Sequence, residues 1–243
     1  MTQRDAYGPS VAAHYDADCA AMFAPEVVEP TVDVLEALAA GGRALELAIG
    51  TGRIGLPLSG RGVPVAGIDR SAAMADRLRR KDGGAAIPVA LGDMTTTRVE
   101  GSFRLVYLVF NSITNLRSQD DQVRCFENAA AHLEPGGRFV VEDQLPALHR
   151  LPVGANEVVV DRSQGHVCID EYDVAAQRLV SHHLFIDGDR LRTTASRHRY
   201  AWPAEYDLMA RIAGLQLVER WADWRRTPFG AHSTAHVSVW QKR

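Results

Sequence analysis

The chain has 243 residues, of which 46% are hydrophobic and 23% are charged, and its formal net charge at pH 7 is -3. This is the composition of a folded globular protein rather than a disordered one, and the weakly acidic balance argues against binding along the phosphate backbone of a nucleic acid. No run of about 18 apolar residues occurs, so we predict no membrane-spanning helix.

The cysteines and the N-terminal stretch favour a cytoplasmic protein. Cys19, Cys125 and Cys168 lie far apart and form no Cys-x-x-Cys pair, so the sequence contains neither a zinc ribbon nor a readable disulfide framework. Unpaired thiols are typical of a reducing compartment. The first 19 residues carry acidic and polar side chains and lack the apolar stretch of a signal peptide.

Residues 1–42 are predicted to form an N-terminal helical cap. Apolar residues recur at spacings of three and four over 11–22 and 27–39, which is the periodicity of amphipathic helices. Pro25 and Pro30 are interpreted as breaks between the two helices.

From residue 43 onward, short apolar runs alternate with helical patterns. The runs cover residues 44–49, 63–68, 87–91, 105–110 and 138–142. Each is apolar on both faces, as parallel strands between two layers of helices are. Helices are predicted over 71–80, with Ser71 as the N-cap, and over 120–133, ended by the proline and glycines of 134–137. This alternation predicts an α/β fold with a doubly wound, mostly parallel sheet.

After Pro152 the pattern becomes one of alternating polar and apolar residues. Four strands are predicted, over 157–161, 166–172, 178–186 and 191–200. A helix over 204–213 and two closing strands over 215–221 and 233–240 follow, which brings the main sheet to seven strands. Because no flexible linker precedes this region, we interpret 153–202 as an antiparallel β insert within a single domain covering 1–243.

The strongest local signal is a glycine-rich turn after the first strand. Gly50, Gly52 and Gly55 follow a strand that contains Glu46, and Asp69 stands at the end of the next strand. Glycine allows a ligand to approach the backbone closely, and exposed amides at a helix start favour an electron-rich group. A carboxylate at position 69 could accept hydrogen bonds from both hydroxyls of a ribose.

The same glycine spacing also matches the dinucleotide fingerprint, so a nicotinamide-dependent oxidoreductase is an alternative. Two features favour a different cofactor. Glu46 lies inside the strand, where a carboxylate suits a ligand with an ammonium group. Asp93 follows the third strand and could accept from the exocyclic amine of adenine; the alternative for Asp93 is a turn residue that caps the next segment.

Four segments resemble the class I S-adenosylmethionine-dependent methyltransferases, in the order typical of that family. They read ELAIGTG at 46–52, VAGIDRSAAM at 65–74, LGDM at 91–94 and HLEPGGRFVV at 132–141. The resemblance covers about residues 10–145 and implies a Rossmann-like fold with S-adenosylmethionine as cofactor. It implies cofactor contacts by Tyr15, Glu46, Ala48, Gly50, Gly52, Asp69, Arg70, Met74, Asp93, Met94 and Asn111.

The resemblance also assigns roles within that set. It implies Glu46 near the methionyl amine, Asp69 on the ribose, and Asp93 beside the adenine. Gly50 and Gly52 would lie under the cofactor. The family's loop starts with a glycine where this chain has Ala48, and the added methyl group is expected to tighten the site rather than abolish it.

Residues for the methyl-transfer step are harder to identify, because such a displacement depends mainly on positioning in a dry site. Candidates are Tyr15, Asn111 and His149, with Glu142 and Asp143 also following the fifth strand. The histidines of the insert are candidates as well. Tyr15 resembles a tyrosine that closes over the methionyl end in small-molecule members, but an aromatic packed on a helix face is an equal alternative. Asn111 could contact the cofactor or the nucleophile, or could be an ordinary loop residue.

The insert is interpreted as a lid over the acceptor. His182 and His183 should point to opposite faces of a strand. Aromatic walls or core packing would equally explain Trp202, Trp221, Trp224 and Phe229. His232 and His236 have the spacing of metal ligands on a helix, but their surroundings predict a strand, so no metal is expected.

We therefore predict methyl transfer to nitrogen or oxygen of a small natural-product-like molecule or a modified peptide. The insert resembles those of N-methyltransferases that act on amino sugars, and residues 204–215 resemble a methyltransferase acting on a peptide amino terminus. A non-catalytic cofactor-binding module is a further alternative. The sequence leaves the acceptor, the base and the oligomeric state open, a homodimer included.

Overall fold

The computed structural model describes residues 7–243, which form six helices and eleven strands in two sheets. The helices are α1 (Pro9–Asp18), α2 (Pro25–Ala39), α3 (Gly55–Gly60), α4 (Ala72–Arg79), α5 (Gln119–His132) and α6 (Pro203–Ile212). The strands are β1 (Ala44–Leu47), β2 (Val65–Asp69), β3 (Val89–Leu91), β4 (Phe103–Leu108), β5 (Leu133–Gln144), β6 (Glu157–Ser163), β7 (His166–Asp173), β8 (Arg178–Asp187), β9 (Arg190–Arg199), β10 (Leu215–Trp221) and β11 (Ala235–Lys242).

The main sheet has seven strands in the order β10-β11-β5-β4-β1-β2-β3. The strands β3, β2, β1, β4 and β5 run parallel, whereas β11 is antiparallel to both β5 and β10. Every residue of β1 and β2 is buried, because helices cover both faces of the sheet. The predicted doubly wound, mostly parallel seven-stranded fold is confirmed.

Two apolar clusters hold the helices to the sheet, one on each face. One cluster packs α2 against the sheet through residues such as Leu35 and Tyr107. The other packs α5 and α6 through residues such as Phe126 and Trp240. Phe126 and Trp240 meet edge to face, with ring centroids 5.3 Å apart, a favoured geometry for aromatic pairs. Among residues 7–243, no helix is both long and apolar enough to cross a membrane.

Pro30 does not separate two helices as predicted, since it lies inside α2. A proline inside a helix leaves the carbonyl of the fourth preceding residue without its usual donor. Here that residue is Glu26, whose carbonyl accepts a hydrogen bond from the Arg225 guanidinium at 3.3 Å. The structural cost of Pro30 is thus offset by a residue far away in sequence.

The helix predicted over 120–133 does not end at the proline and glycines of 134–137. The helix α5 ends at His132, and β5 starts at once with Leu133, so residues 134–137 lie within the strand. The ladder with β4 skips from the pair Phe103–Leu133 to the pair Leu105–Arg138, which leaves a bulge between them. The Lys242 ammonium donates to the carbonyls of Ala130 and Leu133, both at 2.7 Å, and so satisfies the helix end in place of a glycine cap.

The second sheet is an antiparallel meander in the order β6-β7-β8-β9. Its strands agree with the four predicted between 157 and 200. Adjacent strands pair without interruption from β7 to β9, and a bulge interrupts the pairing of β6 with β7 near Val159.

Candidate functional site

The glycine-rich turn closes onto the carboxylate of Asp69. The Gly50 amide donates to Asp69 Oδ2 at 2.6 Å, and the Ser71 amide donates to Asp69 Oδ1 at 2.7 Å. Since β1 and β2 are parallel neighbours, their carboxyl ends meet at one edge of the sheet, which brings the turn and the carboxylate together. The predicted N-cap is confirmed, because Ser71 Oγ accepts from the Met74 amide.

Gly52 and Gly50 are glycines for different structural reasons. Gly52 has a φ of +82°, and a Cβ built there would lie 2.4 Å from Leu78 Cδ1, so this glycine allows the turn to pack on α4. Gly50 has a φ of +59°, and its added Cβ would meet only Met74 Cε at 3.5 Å and a backbone oxygen at 3.9 Å. Gly50 is therefore the glycine whose Cβ position is left open to a ligand.

We expect Gly52→Ala to lower the free energy of unfolding by about 2–5 kcal/mol, since a left-handed φ costs about 1–2 kcal/mol and overpacking about 1–3 kcal/mol. Gly62→Ala is the matched control, because Gly62 also has a positive φ (+88°) and nothing lies within 4 Å of its added Cβ. Gly50→Ala should resemble the control. Urea unfolding measures all three, and equal losses for Gly52→Ala and Gly62→Ala would refute the packing role of Gly52.

Ala48 departs from the family's glycine and adopts a glycine-like backbone, with a φ of 55°. A left-handed conformation is strained for a residue with a Cβ. The turn therefore bends through a left-handed residue at this position although Ala48 carries a methyl group.

Glu46 is buried at the middle of β1, directly beneath the turn. The Tyr107 hydroxyl donates to Glu46 Oε2 at 3.0 Å. Burial raises the pKa of Glu46 to about 8, against the opposite effects of the Tyr107 hydrogen bond and the nearby Arg53. Gly55 makes room for this carboxyl, since a Cβ there would lie 2.7 Å from Oε2. Glu46 forms no ion pair with any residue in the described part of the chain, so it could receive a cationic ligand group.

The helix α1 is tied to the glycine-rich turn by polar contacts. Thr51 Oγ1 donates to Asp16 Oδ1 at 2.6 Å. Lys81 Nζ lies 2.7 Å from Asp16 Oδ2 and also donates to the Thr51 carbonyl at 2.8 Å. Tyr15 therefore stands on a helix anchored to the turn, and its ring contacts that of Tyr7 edge to face, with centroids 6.1 Å apart.

Asp93 caps the turn that follows β3, which was the alternative to a role in binding the cofactor. One of its two carboxylate oxygens makes the capping bonds, and the other faces Arg70. Its Oδ1 accepts from both the amide and the hydroxyl of Thr95, at 2.8 and 2.7 Å. Its Oδ2 lies 3.9 Å from Arg70 Nη1, and both side chains are about half exposed to solvent. Met74 is buried against the glycine-rich turn, and Met94 is partly buried nearby.

The loop after β4 contains two consecutive left-handed residues, Phe110 and Asn111, with φ values of 57° and 58°. The Phe110 amide donates to Glu142 Oε2 at 2.8 Å, and Trp224 Nε1 donates to Glu142 Oε1 at 2.7 Å. Asn111 Oδ1 accepts from the Gln144 amide at 2.9 Å. Glu142 thus holds a strained loop in place, which is a different role from the predicted acceptor-side one.

Asp143 and His236 belong to a buried polar network rather than to the site around the glycine-rich turn. The Tyr206 hydroxyl donates to Asp143 Oδ2 at 2.7 Å, and burial raises the pKa of Asp143 to about 7. Burial lowers the pKa of His236 to about 3, and its Nδ1 pairs with Ser238 Oγ at 2.8 Å. His232 is exposed. No group of three or more metal-ligating side chains in residues 7–243 is placed to hold a metal ion.

The remaining candidates lie outside this site. His149 is exposed on a short 3-10 turn, Leu148–Arg150. Trp221 and Trp224 pack in the core, Phe229 lies against His236, and Trp202 is 43% exposed. For the two core tryptophans, core packing is the correct alternative.

Alternate residues of the second sheet form a polar surface that we call the inner face. It includes Asp161, His166, Cys168, Asp170, Tyr172, Ser181, His183, Phe185, Arg192, Thr194, Ser196 and His198. His198 Nδ1 lies 3.1 Å from Thr114 Oγ1 in the loop after β4, and Arg192 pairs with Asp18 of α1 at 2.9 Å. The inner face therefore lies over the two elements that flank the glycine-rich turn.

The prediction for the histidine pair of β8 is confirmed. His183 lies on the inner face, whereas His182 lies on the other face beside Glu171, with Nε2 to Oε2 at 3.2 Å. Asp161 and Asp170 were not among the predicted site residues, whereas His166 and His198 belong to the insert histidines that the sequence offers as candidates. Alternate spacing along the strands is the signal that could have identified the two aspartates.

All three comparisons with known proteins lead to methyltransferases. A family model described as a methyltransferase domain matches residues 44–137. The solved structure of the CcbJ methyltransferase from Streptomyces caelestis is 38% identical, with a TM-score of 0.87 and 98% of each chain covered. The curated cypemycin N-terminal methyltransferase from Streptomyces sp is 26% identical over 208 residues, which are 84% of each chain. CalS10, an amino pentose methyltransferase from Micromonospora echinaspora solved with bound S-adenosylmethionine, is 20% identical, with a TM-score of 0.71 and coverage of 94% of this chain and 96% of that chain.

Proposed function

The chain belongs to the class I S-adenosylmethionine-dependent methyltransferases, and from that premise we propose that it methylates an amine nitrogen of a small natural-product-like molecule or of a peptide amino terminus. The observation that carries the proposal is the closure of the glycine-rich turn onto Asp69 beneath a polar insert sheet. The insert, residues 153–202, would act as the lid over the acceptor.

The residues present fit the cofactor. S-adenosylmethionine supplies an electrophilic methyl group on a sulfonium. Glu46 offers a buried carboxyl to the methionyl ammonium, and Gly50 leaves the backbone open. The carboxylate of Asp69, which closes the turn at the end of β2, would bind the ribose hydroxyls. After β3, Asp93 Oδ2 would contact the adenine, together with the side chains of Met74 and Met94. Tyr15 on the anchored helix α1 and Asn111 after β4 would flank the methionyl end.

An amine is the preferred acceptor for two reasons. The names of two similar proteins specify an N-terminal methyltransferase and an amino pentose methyltransferase. In addition, the buried carboxyl of Asp170 lies on the inner face, where it would attract an ammonium. A hydroxyl acceptor is the second candidate, since Ser181 and His198 on the same face could orient it by hydrogen bonds.

The test uses S-adenosylmethionine with a labelled methyl group and a panel of acceptors. The panel contains amino sugars, short peptides with free amino termini, and the same sugars with hydroxyl in place of the amine. We expect label only in the amine-containing members. Transfer to the hydroxyl sugars alone would contradict the amine proposal, and tight cofactor binding without any transfer would favour the cofactor-binding module.

A thermal shift experiment addresses the nicotinamide alternative. S-adenosylhomocysteine should raise the melting temperature, since a ligand that binds the native state at 100 times its Kd adds about 2.7 kcal/mol. NAD at the same concentration should leave it unchanged. Stabilisation by NAD alone would refute the assignment of the cofactor.

A further inference from the structure

A chain of three hydrogen-bonded groups runs across the inner face. Asp161 Oδ2 lies 2.7 Å from His166 Nδ1, and His166 Nε2 lies 3.1 Å from His183 Nδ1. The two imidazole rings are within 14° of coplanar, and their centroids are 5.3 Å apart. Since His166 Nε2 and His183 Nδ1 are 3.1 Å apart, a centroid separation of 5.3 Å requires both nitrogens to lie close to the line that joins the two ring centres. The hydrogen bond therefore runs in the plane of both rings, the direction of the nitrogen lone pairs.

The carboxylate at one end fixes the tautomer of both histidines. An ionised carboxylate only accepts, so His166 Nδ1 carries the proton and donates it to Asp161. Neutral His166 then has its lone pair on Nε2, where it accepts from His183 Nδ1–H. Neutral His183 is consequently left with its lone pair on Nε2. That nitrogen makes no hydrogen bond to any residue within 7–243.

Exposure decreases from the first group of the chain to the second. The Asp161 side chain is 49% exposed and His166 is 25% exposed, and His183, like His166, is partly buried, beside Cys168 and Thr194 on the neighbouring strands. The sheet that carries them is anchored over the cofactor region through His198 and Arg192. The chain thus connects the interior of the inner face to solvent.

We propose that His183 Nε2 is the base that deprotonates the methyl acceptor, and that His166 and Asp161 are positioning residues that fix its tautomer and carry the proton outward. The proposal rests on the proposed function, since it concerns the acceptor of that methyl transfer.

The proposed step moves one proton from the acceptor to His183 and onward to solvent. An amine that arrives as an ammonium loses one N–H proton to His183 Nε2, and the electrons of that bond become the nitrogen lone pair. The lone pair forms the new N–CH3 bond as the S–CH3 bond breaks, and the electrons of the broken bond stay on sulfur. The proton on His183 is relayed when Nδ1–H passes to His166 Nε2 and the His166 Nδ1–H passes to Asp161, which exchanges with water.

The surroundings keep His183 neutral and ready to accept a proton. Burial and the adjacent His166 lower the pKa of His183, while Asp170 and Asp161 act in the opposite direction. The titratable and charged groups that share its face are Asp161, His166, Cys168, Asp170, Tyr172, Arg192 and His198, with Asp18 of α1 paired to Arg192. The neighbouring His182, on the other face, also lowers the pKa of His183. An uncharged imidazole at neutral pH is the form that a general base requires.

The activity test compares His183→Gln with His182→Gln, using an acceptor found with the labelled panel. General bases contribute about 10²–10⁴ in rate, so we expect His183→Gln to lower kcat at least a hundredfold at pH 7 with unchanged affinity for S-adenosylhomocysteine. The loss should shrink above the pKa of the amine, because the amine then arrives deprotonated. The neighbouring His182→Gln, on the opposite face, should retain wild-type rates. Equal rates for both variants, or a loss that persists at high pH, would overturn the proposal.

A second readout does not depend on turnover. The ¹⁵N chemical shifts of labelled histidines in the S-adenosylhomocysteine complex distinguish protonated from bare imidazole nitrogens. We expect a bare Nε2 on His183 in the wild type and loss of this tautomer in Asp161→Asn. A protonated Nε2 on neutral wild-type His183, or an unchanged tautomer in Asp161→Asn, would overturn the relay. If no panel member is methylated, the proposed function fails while these shifts still decide the relay.

Discussion

Replacing Asp69 by alanine is expected to weaken binding of S-adenosylmethionine at least tenfold. The variant lacks the two hydrogen bonds that Asp69 would make to the ribose, each worth about 1.5–3 kcal/mol for a charged acceptor. A loss of about 1.4 kcal/mol raises the dissociation constant tenfold. The variant also lacks the hydrogen bonds from the amides of Gly50 and Ser71 to the carboxylate. Contact with the ligand and closure of the glycine-rich turn therefore depend on one carboxylate.

Calorimetric titration with S-adenosylmethionine and with S-adenosylhomocysteine measures this effect. The control Asp76→Ala removes an exposed carboxylate on α4 that pairs only with Arg79 in the structure described, at 2.9 Å, and it should bind like the wild type. A Kd for Asp69→Ala equal to that of the wild type would rule out the ribose assignment.

The parallel strands could be predicted because their burial is symmetrical. β1 and β2 are buried along their whole length, so their sequences are apolar apart from the site residues Glu46 and Asp69, regardless of which strand lies beside them. The N-cap Ser71 was predictable for a similar reason, since its hydrogen bond to the Met74 amide is local. Features fixed by neighbours in sequence were therefore the ones that sequence patterns indicated correctly.

The incorrect boundaries have partners that are distant in sequence. Pro30 is tolerated inside α2 because Arg225 satisfies the carbonyl of Glu26. The end of α5 is satisfied by Lys242, which lies more than one hundred residues further along the chain. Local rules for proline and glycine could not anticipate these donors.

Part of the candidate site was predictable in position but not in role. Glu142 lies near the carboxyl end of the fifth strand rather than after it, and its two oxygens hold Phe110 and Trp224. The relay on the inner face depends on the register of three strands, which aligns Asp161, His166 and His183. Strand register across a bulge cannot be derived from residue types alone.

Glu46 leads to the second large effect, a release of protons when the cofactor binds. Burial raises the pKa of Glu46 to about 8, so at pH 7 the unliganded protein holds this carboxyl mostly protonated. An ammonium beside it favours the ionised form. Binding of S-adenosylmethionine at pH 7 should therefore release close to one proton, and affinity should rise with pH until about 8. At higher pH the carboxylate is already ionised and the dependence on pH should end.

The same carboxyl affects stability with a defined sign. Its folded pKa lies above the ordinary value of 4.5, so the folded state binds more protons between these pH values. The free energy of unfolding should fall as the pH rises from about 5 to 8, by at most about 1.4 kcal/mol per pH unit for one group. Glu46→Gln should flatten this part of the profile, which chemical unfolding at several pH values measures.

Calorimetry in two buffers of different ionisation enthalpy counts the protons released on binding. We expect Glu46→Gln to release none and to bind at least tenfold more weakly at pH 8, since an amide cannot replace the charge facing the ammonium. Asp143→Asn is the matched control, because burial also raises the pKa of Asp143, to about 7, in a network away from the glycine-rich turn. That variant should retain the proton release of the wild type. If Glu46→Gln released as many protons as the wild type, Glu46 would not be the group that faces the methionyl ammonium.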